Sequence, residues 1–106
     1  MDNKEIKELE DKIIVVLKNI FDPEIPVSIY ELGLIYETKV KADGKVDVSM
    51  TLTSPNCPVA ESLPAQVKEE ISFLTGVTEV DLEIVFDPAW DQSMMSEEAK
   101  LELGLL

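Results

Sequence analysis

Apolar residues recur along the first twenty positions at spacings of three and four: Ile6, Leu9, Ile13, Leu17 and Ile20. That period places them on one stripe and predicts an amphipathic helix. Asp2 stands where an N-cap belongs, with Glu5 three residues on as in a capping box. Asp22-Pro23 marks the expected stop, because a residue before proline avoids helical dihedrals. Residues 21–32 then read as a loop carrying Pro23 and Pro26. The period changes to two from Leu34 to Lys41, where even positions share a face, and from Val46 through Val48 and Met50 to Leu52, where Asp47, Ser49, Thr51 and Thr53 occupy the polar face. Asp43-Gly44 between these runs predicts a tight turn and hence a hairpin.

After Ser54-Pro55-Asn56-Cys57-Pro58 the helical period returns in Ala60, Leu63, Val67, Ile71 and Leu74, with Gly76 as its C-terminal cap. Pro58 suits the first helical position, so Cys57 is the expected N-cap. Pro64 falls in the second turn and predicts a kink at the helix start. A third strand is expected from Val77 to Phe86, with Val80, Leu82, Ile84 and Phe86 inward and Glu79, Asp81 and Glu83 outward. Ser96, Glu97, Glu98 and Gly104 predict a short closing helix. The order implies an α+β fold: a two-layer αββαβ sandwich with a small mixed sheet and a short C-terminal helix. Strand two, helix two and strand three form a crossover, but the place of strand three in the sheet is not readable.

The chain has 106 residues, 45% of them hydrophobic, which fits one domain spanning 1–106 with a core of its own. Nine basic residues, all lysine, face 22 acidic ones for a net charge of −13. That balance argues against nucleic acid and against anionic membranes as partners. Residues 1–45 hold seven Lys and ten acids (−3); residues 46–106 hold two Lys and twelve acids (−10). The uneven charge reads either as a solvated surface or as a face that attracts a basic partner. Met1-Asp2-Asn3-Lys4-Glu5 is charged with no apolar run after it, so no targeting signal is expected. The apolar run Ile13–Leu17 is too short to span a bilayer.

Cys57 is the only cysteine and histidine is absent. A lone cysteine suits a reducing cytoplasm. At a helix start its thiol meets free N–H groups and the dipole, which favour the thiolate modestly, while Glu61 opposes them. The alternative is a buried cysteine acting as a small hydrophobe. Without His there is no general base for a cysteine hydrolase, and without a second Cys there is no dithiol redox pair. Metal ligation remains, and one thiolate cannot close a zinc or iron–sulfur site by itself. A partner, a second copy or a small thiol must complete it. Asp22-Pro23-Glu24 offers two carboxylates beside a rigid proline, or else a helix stop and turn. Thr51, Thr53 and Ser54 lead into the cysteine loop and offer hydroxyls, though threonines of this kind often form the outer face of a strand. Asn56 can hold the turn. Trp90, Met94 and Met95 offer a partner surface or, as the better reading, core or lid packing.

Several separate stretches carry a family resemblance. Asp22-Pro23-Glu24-Ile25-Pro26-Val27-Ser28-Ile29, Glu31-Leu32-Gly33-Leu34-Ile35-Tyr36, Thr51-Leu52-Thr53-Ser54-Pro55-Asn56-Cys57-Pro58 and Phe86-Asp87-Pro88-Ala89-Trp90, followed by Met95-Ser96-Glu97-Glu98-Ala99-Lys100, resemble the SufT-like metal–sulfur cluster assembly family from Ile6 to Gly104. The resemblance implies a non-enzymatic maturation factor that helps install iron–sulfur clusters in target proteins. Eukaryotic relatives act in the cytosolic targeting complex, and related domains are fused to P-loop carrier ATPases. It also implies the αββαβ-type fold, places the family's functional cysteine on Cys57, and its acidic motif on Asp22 and Glu24. The C-terminal cysteines of the phenylacetate-type branch are missing here.

The resulting expectation is a cytoplasmic factor that assists transfer of iron or an iron–sulfur cluster, held transiently by Cys57. Asp22, Glu24, Thr53, Ser54 and Asn56 support it, and scaffold proteins, a P-loop carrier ATPase and client apoproteins are its partners. A homodimer would bring two thiolates together. The competing expectation is a metal-free adaptor that recruits scaffold or carrier ATPase to clients. A third, an enzyme with a cysteine nucleophile, would need a base from another chain.

Overall fold

The computed structural model describes residues 2–22, 27–52 and 62–104. Helix α1 spans Asn3–Lys18, and the Asp2 carboxylate accepts the Glu5 N–H at 2.8 Å as the N-cap. Leu9, Ile13 and Leu17 are buried along the expected stripe. The helix ends earlier than Asp22-Pro23. Asn19 is the C-cap, its Nδ2 donating to the Val15 carbonyl at 2.7 Å and its backbone N–H to Val16 at 3.0 Å. Ile20 is fully buried outside the helix, because its carbonyl accepts the Ile29 N–H at 2.9 Å and holds the segment on the core.

Strand β1 (Ile35–Val40) and strand β2 (Lys45–Met50) pair antiparallel, with a bulge between Ile35 and Glu37. The Asp43-Gly44 turn joins them, and the Lys41 N–H donates to Lys45 at 2.8 Å. Gly44 has φ +90°, and a Cβ there would lie 2.3 Å from the Gly76 carbonyl, so glycine is required. Strand β3 (Glu79–Ile84) pairs parallel to β2, so β2 is central and the order is β1-β2-β3. The mixed sheet agrees with the expected α+β class. Helix α2 (Ser62–Ser72) buries Leu63, Val67 and Ile71. It packs against β3 while α1 packs against β1, and the two helices touch. Val46, Val48 and Met50 of β2 belong to the same buried cluster as the helix residues, while Asp47 and Ser49 stay half-exposed on the opposite face.

Three local expectations need correction. Helix α2 stops at Ser72, so Gly76 belongs to the turn before β3. The expected helix start at Cys57–Pro58, on which the kink at Pro64 depends, lies outside the described residues. Phe86 is 46% exposed, since β3 ends at Ile84 and inward alternation ends with it. Thr51 is fully buried, because β2 ends at Met50 and the Thr51 N–H turns to the Leu34 carbonyl at 2.8 Å. A 3-10 turn (Gln92–Met94) and helix α3 (Glu97–Glu102) close the chain, with the Ser96 hydroxyl accepting the Ala99 N–H at 3.1 Å. Among the described residues no helix is long and apolar enough to cross a membrane.

Candidate functional site

Two segments singled out from the sequence leave the core at neighbouring points. The first stem is closed by the Asp22 N–H, which donates to the Val27 carbonyl at 3.4 Å, and by an antiparallel bridge between Phe21 and Ser28. Asp22 itself is 4% exposed. The second stem is Thr51-Leu52, leaving the end of β2, with both residues buried. A relay of main-chain bonds connects the stems. Ile29 N–H donates to Ile20, Leu34 N–H to Ile29 at 3.1 Å, and Thr51 N–H to Leu34. Three short bonds therefore lead from the root of the acidic segment to the root of the cysteine segment. Glu24, Thr53, Ser54, Asn56 and Cys57 themselves lie outside the described residues.

Thr51 adds a chemical irregularity at the second stem. Its Oγ1 is fully buried without a hydrogen-bond partner. An unpaired buried hydroxyl costs on the order of 1–3 kcal/mol, which an apolar isostere would not incur.

The C-terminal strap docks on the Glu31–Tyr36 stretch, which lies between the two stems along the chain. Trp90 Nε1–H donates to the Leu32 carbonyl at 2.7 Å, and the Ser96 N–H to the Glu31 carbonyl at 2.8 Å. Tyr36 Oη donates to the Pro88 carbonyl at 2.8 Å and contacts Met94 Sδ at 3.5 Å. Between these clamps Gly33, at φ +81°, faces the Met94 main chain. A Cβ there would sit 2.3 Å from the Met94 carbonyl oxygen. The Glu31–Tyr36 stretch is thus the seat on which the Phe86–Ser96 stretch docks. Trp90 is half-buried and Met94 intermediate, while Met95 is 7% exposed and belongs to the core. For Met95 the core alternative holds and the partner-surface one does not, and lid packing describes what Trp90 does in this fold. Gly33 and Tyr36 were not singled out from the sequence as positioning residues. The only trace of their role is a glycine set between Leu32 and Leu34, away from any turn signal.

Asp91 caps the 3-10 turn, accepting the Ser93 N–H at 2.7 Å and the Ser93 hydroxyl. The Ser93 side-chain bond, then its backbone bond, hold the Asp91 carboxyl below its ordinary range. Among the described residues, no group of three His, Cys, Asp or Glu is placed to hold a metal ion. The helix-free sheet face bears a cleft of about 330 Å³ lined by Lys39, Lys41, Lys45, Asp47, Asp81 and Glu83, among others. Lys41 and Asp47 pair there at 3.1 Å.

Residues 10–82 match the iron-sulfur cluster assembly protein family. The chain is 48% identical over 104 residues to an Fe-S protein maturation auxiliary factor of Porphyromonas gingivalis, covering 98% of this chain and 99% of that one. It is 37% identical over 97 residues to the Fe-S protein maturation auxiliary factor YitW of Bacillus subtilis, covering 92% and 95%. Its fold matches the crystal structure of a DUF59 domain of unknown function from Bacillus anthracis, with a TM-score of 0.90 at 31% identity, covering 99% and 100%.

Proposed function

The chain belongs to the iron–sulfur cluster assembly protein family, and on that premise we propose that it is a maturation factor that passes iron or a preformed cluster to target proteins through Cys57. The general role, assistance in iron–sulfur protein maturation, carries the names of the relatives that match nearly end to end. The finer reading rests on one observation: the roots of the Asp22 and Cys57 segments are joined by a short main-chain relay. An oxygen donor pair and a single thiolate rising from adjacent roots give a partial ligand set. It is completed only by a donor from outside the chain, so cargo is released when a better set is offered.

In this reading iron or cluster is cargo. The protein performs no bond-making turnover of its own and works in the cytoplasm, between a scaffold or P-loop carrier ATPase and the client apoprotein. Asp22 and Glu24 favour the cationic metal electrostatically, and Thr53, Ser54 and Asn56 shape the loop around the sulfur. A sulfur-to-iron charge-transfer band tests the ligand role directly. Ferrous iron added anaerobically with a small thiol should produce it in the wild type and not in Cys57→Ser. An identical band in both proteins overturns the ligand assignment.

A further inference from the structure

A groove of about 260 Å³ opens between the end of α1 and α3. Phe21, Val27 and Ser28 line it from the α1 side, and Ala99 from α3. Val27 and Ala99 are buried floor residues, while Phe21 stands 56% exposed. Glu98 and Glu102, one helical turn apart on α3, line it together with Glu31. Like charges at that spacing repel each other on a helix. Among the described residues none of these three carboxylates forms an ion pair. Lys18, which also lines the groove, rests over the Tyr30 ring at 5.4 Å. Asp81 and Glu83 of β3 line the sheet-face cleft beside Lys39, Lys41 and Lys45, whereas here the carboxylates surround an apolar floor.

We propose that this groove receives a segment of a partner protein in which a lysine or arginine stands beside an apolar side chain. The apolar side chain packs on Phe21, Val27 and Ala99, and the cation settles among Glu31, Glu98 and Glu102. Charge complementarity selects that occupant over an acidic or purely apolar one. Val27 and Ser28 also form the root of the Asp22 segment, so the groove would hold a client or carrier next to the transfer site. The inference goes beyond the ligand role of Cys57 and does not depend on it.

The probe is a blocked four-residue peptide alternating leucine and lysine, titrated into ¹⁵N-labelled full-length protein. The amide shifts should centre on Phe21, Ser28, Glu31 and Ala99. The Glu98→Gln/Glu102→Gln pair should weaken binding about threefold to tenfold, each exposed ion pair being worth roughly 0.2–1 kcal/mol. Phe21→Ala should weaken it similarly, while Phe73→Ala, which removes another exposed aromatic, should leave it unchanged. Cys57→Ser should bind as the wild type does, which separates this surface from the ligand role. Shifts spread equally over Glu79, Asp81 and Glu83, or affinity indifferent to the Glu98/Glu102 pair, would overturn the proposal. So would groove amides that shift with protein concentration alone, since the occupant would then be a second copy.

Discussion

Replacing Gly33 with alanine tests whether the strap is locked as described. Two costs add. At φ +81° a side chain meets the left-handed penalty, roughly 1–2 kcal/mol. The new methyl would also lie 2.3 Å from the Met94 carbonyl oxygen, which is main chain and cannot swing aside. The strap must lift, straining the Trp90–Leu32 and Ser96–Glu31 bonds that flank Met94. Each such bond contributes about 0.5–1.5 kcal/mol net, so losing both with the first cost comes to about 2–5 kcal/mol. A domain of this length has on the order of 5–15 kcal/mol of stability, so the variant still folds. With a urea slope of roughly 2 kcal/mol per molar, the unfolding midpoint should fall by about 1–2.5 M. Gly104→Ala is the control, at φ +75° with nothing within 4 Å of its Cβ, and it meets only the first cost. Trp90 is the only tryptophan, so its emission before unfolding should shift red in Gly33→Ala and not in Gly104→Ala. Equal midpoints for the two variants, or an unmoved Trp90 emission, would refute the lock.

Three further outcomes are expected. Thr51→Val removes a buried hydroxyl that has no partner; thermal unfolding should show a gain of about 1 kcal/mol, and a loss of stability would mean that the hydroxyl is bonded after all. Trp90→Phe keeps an aromatic ring, smaller than the indole, but strands the Leu32 carbonyl, and should cost about 1–2 kcal/mol in urea unfolding; a neutral result would show that the indole N–H bond does not hold the strap. The Asp91 carboxyl, lowered by its bonds to Ser93, favours the folded form above the unfolded-state value and loses that contribution as pH falls through its folded value. Carboxyl NMR should therefore find Asp91 titrating below an ordinary aspartate, and Ser93→Ala should bring it back up; an ordinary titration in the intact protein contradicts the capping.

The elements legible from the sequence are those whose signal is local. The stripe through Leu9, Ile13 and Leu17, the Asp2 cap, the Asp43-Gly44 turn and the Ser96 cap each depend on neighbours a few residues away. What escaped depends on distant partners. Thr51 reads as an outward threonine until the Leu34 carbonyl pulls it in. Phe86 continues an apolar alternation, but Ile84 is the last residue with a β2 partner, paired to Met50. Gly33 carries no turn signal in the sequence, and the atom that most tightly excludes a side chain there belongs to Met94. Of the candidate site, Asp22 was legible as a turn residue, but its burial and its link to Thr51 pass through Ile20, Ile29 and Leu34, contacts that no periodicity encodes.

Anaerobic transfer to an apo client is the most direct test of the central claim. Iron or cluster loaded on the wild type should reactivate the client, and Cys57→Ser, folded to the same urea midpoint, should fall to the rate of unassisted transfer. Equal reactivation by the two proteins would contradict the account.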